Sequence, residues 1–423
     1  MKTSDKNTDV LKFDVLVAGA GAAGIAAAIA AAKEGLQVCL IERNAYPGGK
    51  ATAAYVGTIC GLYYRSQGSD AKFAMEGFPK DFALEIQERS QSQAIQFGKG
   101  LHFLPYQRNA FIEVSNELLE SNGVHCFFDT SILKIKVLKD GFQSDVKGKS
   151  ANNIIFCKTL IDASGEAGIA ELTGLPTSTE EEYQAAAQVF ELGNLKEGRQ
   201  EVISLALIRM IQKGISEGDF PIAYKRLSLV PGSIKDGKAL FKLGIPLKVT
   251  DDAQSKKELD YFAFEAVNFL FEYLKKHSSI FKNSTLELVA PEVGVRTGRR
   301  HIGETILSKD TVLEGRKDKD SIARGVWPIE FWAPGENPRM EYFAEEDYYD
   351  IPAGTLISQQ IENLFFAGRH ISAEAEAIAS ARVIGTCLQT GYAAGKLAAG
   401  KVLGVGQKET VKKIQTELGL ETK

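Results

Sequence analysis

The sequence predicts an α/β fold into which an α+β unit is inserted. Three observations predict it. Over residues 13–42 an apolar strand runs into a glycine-rich turn, an alanine-rich helix and a second strand. A strand ending in small residues returns at 158–165, and again from Ile361. Between these returns, residues 176–355 mix strand-like and helical stretches and open no second turn of the first kind. The expected division is therefore 1–175 with 356–423 for the first unit and 176–355 for the inserted one. A chain of 423 residues exceeds one ordinary core, which agrees with two joined units.

The opening unit is a physical device. Asp14-Val15-Leu16-Val17-Ala18 enters Gly19-x-Gly21-x-x-Gly24. Gly19 permits a tight turn, Gly21 lets backbone approach a pyrophosphate, and Gly24 lets the helix lie close on the strand. The helix starting near Gly21 points unpaired N–H groups and a positive dipole end at phosphates. Val38–Ile41 is the second strand. Glu42 ends it and can accept hydrogen bonds from ribose hydroxyls. It lies 18 positions past Gly24, near the spacing of about 20 that a Rossmann-like dinucleotide site uses. Residues 15–32 are all apolar or glycine, long enough to suggest a membrane span. The embedded glycines make strand–turn–helix the better reading, and nothing else approaches a transmembrane segment.

Later elements follow from periodicity and turn residues. Residues 44–52 form a loop rich in turn formers. Apolar spacing of three and four predicts helices over 81–98 and 108–121. Leu133, Ile135 and Val137 alternate with Lys134 and Lys136, which predicts a strand with one solvated face, followed by a hairpin near 139–141. In the middle region, strands are expected at 184–192 and 239–246, and helices at 200–213 and 254–276. A small-residue helix runs from about Gly385 to Ala399, and the charged tail from Gln407 reads as a surface helix.

Composition narrows the function classes. The chain is 44% hydrophobic and 25% charged, as expected of a globular protein. A net charge of −4, with no basic run interleaved with aromatics, argues against a nucleic-acid partner. Residues 1–11 lack the apolar core of a signal peptide. Five widely spaced cysteines without a Cys-x-x-Cys pair suit a reducing, cytoplasmic setting and weigh against a disulfide reductase. The five histidines show no metal-ligand spacing, so no metal is expected. The oligomeric state is not fixed, and a homodimer is left open.

Glu42 alone does not separate NAD from FAD. Two later segments favour FAD: Leu160-Ile161-Asp162-Ala163-Ser164-Gly165-Glu166 and Asn363-Leu364-Phe365-Phe366-Ala367-Gly368-Arg369. The second is followed by Arg382-Val383-Ile384-Gly385-Thr386-Cys387, which places another helix N-terminus where negative charge on a reduced flavin would be stabilised. With the fingerprint and Pro47-Gly48-Gly49-x-Ala51-Thr52, these segments resemble the FAD-dependent oxidoreductases of the glutathione-reductase fold. The likeness is greater to a subgroup with Gly-Gly-x-Ala-Thr, Arg-x-x-Arg-Arg-x-x-Gly (here 296–303) and Arg-Val-x-x-Thr-Cys (here 382–387). It touches residues 13–60, 124–170, 290–330 and 361–400 and says little about 176–289.

The resemblance implies a Rossmann-like FAD-binding domain of glutathione-reductase type with an inserted substrate or cap domain. It implies that Gly19, Gly21 and Gly24 hold the FAD pyrophosphate and that Glu42, with Arg43 beside it, serves the adenosine ribose. Gly49, Lys50, Ala51 and Thr52 form the loop that approaches the ring. Ile132 would offer backbone groups to adenine, and Ala163, Ser164 and Gly165 would line the pyrophosphate. Gly368 and Arg369 would reach the ribityl chain and phosphates, and Gly385, Thr386 and Cys387 the pyrimidine edge. The subgroup's usual Arg-Glu-Thr-Arg-Arg is here Arg-Thr-Gly-Arg-Arg, so no acidic role falls to Thr297.

Three residues are candidates for the chemistry. Lys50 could favour anionic reduced flavin or guide oxygen reactivity, or stand solvated on its turn. His370 could be an acid or base near neutral pH, or a structural histidine. Arg382 could pair with a substrate carboxylate, or anchor its helix. Cys60 and Cys387 are a conceivable redox pair, though two buried thiols are the plainer reading. Arg296 and Arg300, with Arg299 and His301, form a cationic cluster that could meet an acidic substrate or FAD phosphate, or be a surface ion-pair network. Trp327 to Trp332 is superficially similar to a halogenase signature, but its residue order differs, and it reads as core or a pocket wall. The expected function is an FAD oxidoreductase that transfers hydride to or from a small organic substrate, with its electron acceptor or donor open. The alternatives are a flavin monooxygenase working through a C4a-hydroperoxide and a flavoprotein that senses redox state or modifies a protein partner.

Overall fold

A computed structural model describes residues 8–68, 70–149 and 152–421. Its main sheet has seven strands: β1 Thr8–Ala18, β2 Val38–Ile41, β3 His125–Phe127, β4 Thr130–Leu138, β5 Gly141–Gly148, β6 Asn152–Asp162 and β7 Leu364–Phe366. The order is β3-β2-β1-β6-β5-β4, with β7 also on β6. β1, β2, β3, β6 and β7 run parallel, whereas β4, β5 and β6 form an antiparallel meander. β6 serves both systems: residues 152–157 pair with β5, and residues 160–162 pair with β7. The protein is thus mixed α/β with a largely parallel sheet.

Alternation along β1 decides which face each residue serves. Val15 and Val17 enter one apolar cluster, and Leu16 and Ala18 enter another on the opposite face. Burial on both faces explains why this strand is a continuous apolar run. The same reason accounts for the alanine helix α1, Ala22–Ala32, which is buried almost all round. Helix α2, Ile384–Leu403, lies directly on it. A Cβ at Gly391 would fall 2.1 Å from the Ala23 carbonyl oxygen, and one at Gly395 would fall 2.2 Å from that of Ala27. Glycine at both positions lets the two helix backbones touch. The apolar run 15–32 is therefore core. Among the described residues no helix is long and apolar enough to cross a membrane.

A second core lies within residues 183–293. It joins a four-stranded antiparallel sheet (Leu227–Leu229, Ala239–Gly244, Ala187–Gly193, Thr285–Val289) to helices Gln200–Glu217 and Ala253–His277. Leu307, Ile322, Tyr349 and Leu356 pack in the first core, so the packing changes well before the expected boundary at 355.

Other local expectations also change. The helix expected over 81–98 is Phe78–Ser90, ended by Gln91 in the left-handed region; a strand, Ile95–Phe97, follows. On β4, Ile135 is buried, but Leu133 and Val137 are exposed; at Leu133 the register with β5 shifts, between Ile132 and Lys134. One inserted residue turns the neighbouring side chains to the other face. The tail helix, Gln407–Leu418, is only half a surface helix: Val411, Ile414 and Leu418 join the core.

Candidate active site

The main pocket forms where the C-terminal ends of β1, β6 and β7 meet, the place where open α/β sheets bind ligands. Of the expected residues, Gly19, Gly21, Glu42, Arg43, Gly49, Lys50, Ala51, Ala163, Ser164, Gly165, Gly368, Arg369, Arg382 and Cys387 line it. Sequence reasoning missed Glu292 on its wall.

Each glycine of the fingerprint has its own task. Gly19 has φ +100°, and a Cβ there would lie 2.6 Å from the Ala163 carbonyl oxygen. Gly24 is behind the pocket, where a Cβ would fall 1.8 Å from the Gly19 oxygen. A Cβ at Gly21 meets no protein atom within 4 Å, yet Gly21 lines the pocket. Only bare backbone faces the space there. The 47–52 loop closes over this turn: Gly48 N–H donates to the Ala20 oxygen at 2.7 Å, and a Cβ at Gly49 would lie 2.9 Å from Gly21 Cα. Thr52 does not line the pocket. It is buried and donates to the Pro47 oxygen at 2.8 Å, shaping the loop from behind. Ile132 is likewise outside the lining; in its neighbourhood Thr130 N–H binds the Glu42 carbonyl at 2.9 Å. These features fit a dinucleotide: a helix N-terminus, a cradle that any side chain at Gly21 would fill, and a buried carboxylate.

Glu42 is held by two backbone donors, Ala20 N–H at 2.7 Å and Asn44 N–H at 2.9 Å. Burial pushes its carboxyl up against those bonds. Glu292 gathers Lys50 at 2.6 Å, Asn44 at 3.2 Å and Arg43 at 3.3 Å. Lys50 is therefore paired; burial and then the Arg369 charge push it down, against Glu292. Arg369 donates to the Val295 oxygen and lies 3.5 Å from Glu166.

His370 is corrected by the structure. It is fully buried, off the pocket, and sits 3.5 Å from Asp162, with His301 beside it. Burial lowers it to about 4, so it is neutral near pH 7. Arg300 is also corrected. It is buried and bound to Glu180, Ser178 and the Ala373 oxygen, which ties chain segments together. Asp162, His301 and His370 are close enough to be metal ligands. However, the carboxylate already accepts from Ser164 N–H, Ile169 N–H and His301.

Beyond Arg382 and Cys387 a second group of side chains assembles. Gly385 does not line the pocket; its N–H donates to the Cys60 oxygen at 2.9 Å, and the backbone of Gly61 abuts it. Thr386 is fully buried. Arg382 lies 3.8 Å from Glu330, which also accepts from Trp327 Nε1 at 3.1 Å. Arg296 donates to the Ala185 oxygen and stacks over Trp332, its Cζ 4.4 Å from the ring centre. Lys242 lies 5.6 Å from the same ring centre. Burial and then the Arg382 charge bring Arg296 down to about 9, and burial and then Arg296 push Lys242 down. Burial pushes the thiols of Cys60 and Cys387 up to about 12. Lys242 was missed because it alternates with Phe241 and Leu243, as any solvent-facing strand lysine does.

Comparison with known proteins bears on the fold. The flavin-dependent brominase Bmp2 is 14% identical, with 96% of this chain and 83% of that one covered and a TM-score of 0.51. CabE, an aromatic hydroxylase from angucycline biosynthesis, is 10% identical over 96% of this chain and 66% of that one, with a TM-score of 0.50. A geranylgeranyl bacteriochlorophyll reductase-like protein from Thermoplasma acidophilum is 13% identical over 97% and 84%, with a TM-score of 0.49. The likeness to Bmp2 and CabE speaks to fold alone. No curated protein matches the sequence. The family model described as FAD dependent oxidoreductase matches residues 14–418, so the chain belongs to that family and uses FAD.

Proposed function

We propose that this oxidoreductase acts on a small organic substrate by direct hydride transfer between substrate and flavin. FAD supplies the redox chemistry, and the protein positions its partners and sets the charge around them. Gly19, Gly21, Ser164 and Gly165 would hold the pyrophosphate, Glu42 the adenosine ribose, and the 48–51 loop and the start of α2 the ring end. The observation that carries the reading is the state of the thiols. Cys60 and Cys387 flank the beginning of α2 and are the groups there able to relay electrons, yet both are pushed up to about 12. A thiol relay needs a thiolate. Burial thus leaves both thiols poor relays near pH 7, which supports direct transfer between substrate and flavin.

The test is anaerobic mixing of the FAD-loaded protein with a metabolite panel. Loss of the visible flavin band with a single substrate, and a primary isotope effect on substitution of the transferred hydrogen, is the expected result. Reduction only by NAD(P)H, followed by oxygen appearing in the product, would replace this reading with that of a monooxygenase.

A further inference from the structure

Lys242 and Arg296 meet on the ring of Trp332, and Arg382 faces the single carboxylate near them, Glu330; we read the space they surround as a cleft. Arg382 lines the main pocket, so the cleft adjoins the ring end assigned above. The three cations act on one another through space, and each also feels Glu330. Their pairing is incomplete. Arg382 Nε is buried without a hydrogen-bond acceptor, while its Nη2 donates to the Glu330 backbone oxygen at 3.4 Å and stands 3.8 Å from the Glu330 carboxylate. Among the described residues the Lys242 ammonium has no hydrogen-bond or ion-pair partner, only the face of Trp332. Three cations against one carboxylate leave two positive charges uncompensated in a largely desolvated place. Such an arrangement is costly unless an anion completes it. The wall beside it is apolar: Trp327 and Val383 are buried, with Met340 and Tyr342 packed on them.

We infer that this cleft binds the substrate, and that the substrate is an organic carboxylate whose apolar body lies along the tryptophans. The inference rests on the proposed direct transfer to flavin, since it places the substrate beside the ring end. Arg382 and Lys242 take the carboxylate oxygens. Arg296, already donating to the Ala185 oxygen and stacked on Trp332, fixes the floor. Glu330 keeps Arg382 in place and repels a second acid group on its side.

The chain has only two tryptophans, and both lie here, so their fluorescence reports occupancy without turnover. The FAD-loaded protein is titrated with benzoate and with the neutral benzamide. Benzoate is expected to give a saturable change that benzamide does not. Lys242→Gln is expected to weaken benzoate about tenfold, as loss of a charged hydrogen bond does, and Lys242→Arg to restore most of it. Flavin absorbance of each variant checks folding. Equal binding of benzamide, no binding of benzoate, or an unchanged benzoate constant in folded Lys242→Gln would overturn the inference. Benzoate binding as expected, in a protein whose flavin no carboxylic acid reduces anaerobically, would instead remove the hydride-transfer reading and leave the anion site standing.

Discussion

His301 Nε2 lies 2.8 Å from Asp162 Oδ2, with both side chains sealed from water. The His301 ring also stacks on Phe366, the last residue of β7, with centroids 3.8 Å apart. The pair sits directly under Ala163-Ser164-Gly165, so it sets the position of one wall of the main pocket. Burial opposes ionisation of Asp162, but His370, His301 and the Ser164 N–H outweigh it and hold the carboxyl below its usual range.

This network predicts how stability follows pH. His370 titrates near 4 in the fold, against about 6.5 unfolded. Between those values the unfolded chain binds more protons, so stability rises with pH across the window and is lost as pH falls. The Asp162 carboxyl, lowered in the fold, adds a loss of the same sign as pH falls below about 4. The melting temperature should drop from pH 6.5 toward pH 4 by the equivalent of about 2 kcal/mol. His370→Gln should flatten that part of the profile, and an unchanged slope would remove His370 from the account.

Asp162→Asn removes the charge and leaves one acceptor where three donors converge: Ser164 N–H, Ile169 N–H and His301. A loss of about 3 kcal/mol is expected, typical of breaking a buried charged pair. Thermal unfolding of the FAD-free protein measures it. FAD release should also quicken, because the 163–165 wall loosens.

Gly21 and Gly24 should separate binding from folding. Gly21→Ala puts a methyl group into open pocket, so the FAD-free melting temperature should hold while FAD affinity falls about tenfold or more. Gly24→Ala drives a methyl group against the Gly19 carbonyl and should cost about 3 kcal/mol of stability. The reverse ranking in paired melting and FAD-titration experiments would contradict the assignment of the cradle.

The thiols should be dispensable. A Cys60→Ala, Cys387→Ala double variant that retains FAD should be reduced by substrate within about twofold of the parent rate, since neither group is a thiolate near neutral pH. Stopped-flow absorbance is the measurement, and a loss of reduction would restore a thiol relay.

The sequence revealed what depends on local geometry. Gly19, Gly21, Gly24 and Glu42 were legible because a tight turn, a close approach and a strand end each demand one residue type at fixed spacing. What depends on the meeting of distant segments was not. Glu292 lies far along the chain from Lys50, and only the folded chain shows them 2.6 Å apart. His370 and Arg300 carry reactive groups, but burial and partners decide their use, and neither is written in the local pattern. Arg382 read as equally able to bind a substrate or anchor a helix; the structure gives it Glu330, through its backbone oxygen at 3.4 Å and its carboxylate at 3.8 Å, and an unfilled donor.

The double duty of β6 bears on how the protein is made. Its last residues pair with β7, so Leu160 waits for Leu364 and Ile161 for Phe365. Along its other edge it must also find β1, from the very start of the chain. On a ribosome the sheet therefore stays open at its centre until β7 has emerged. Such long-range closure is slow and leaves strand edges bare meanwhile. Newly made chains should lean on chaperones, and FAD should be acquired only after β7 has joined β6.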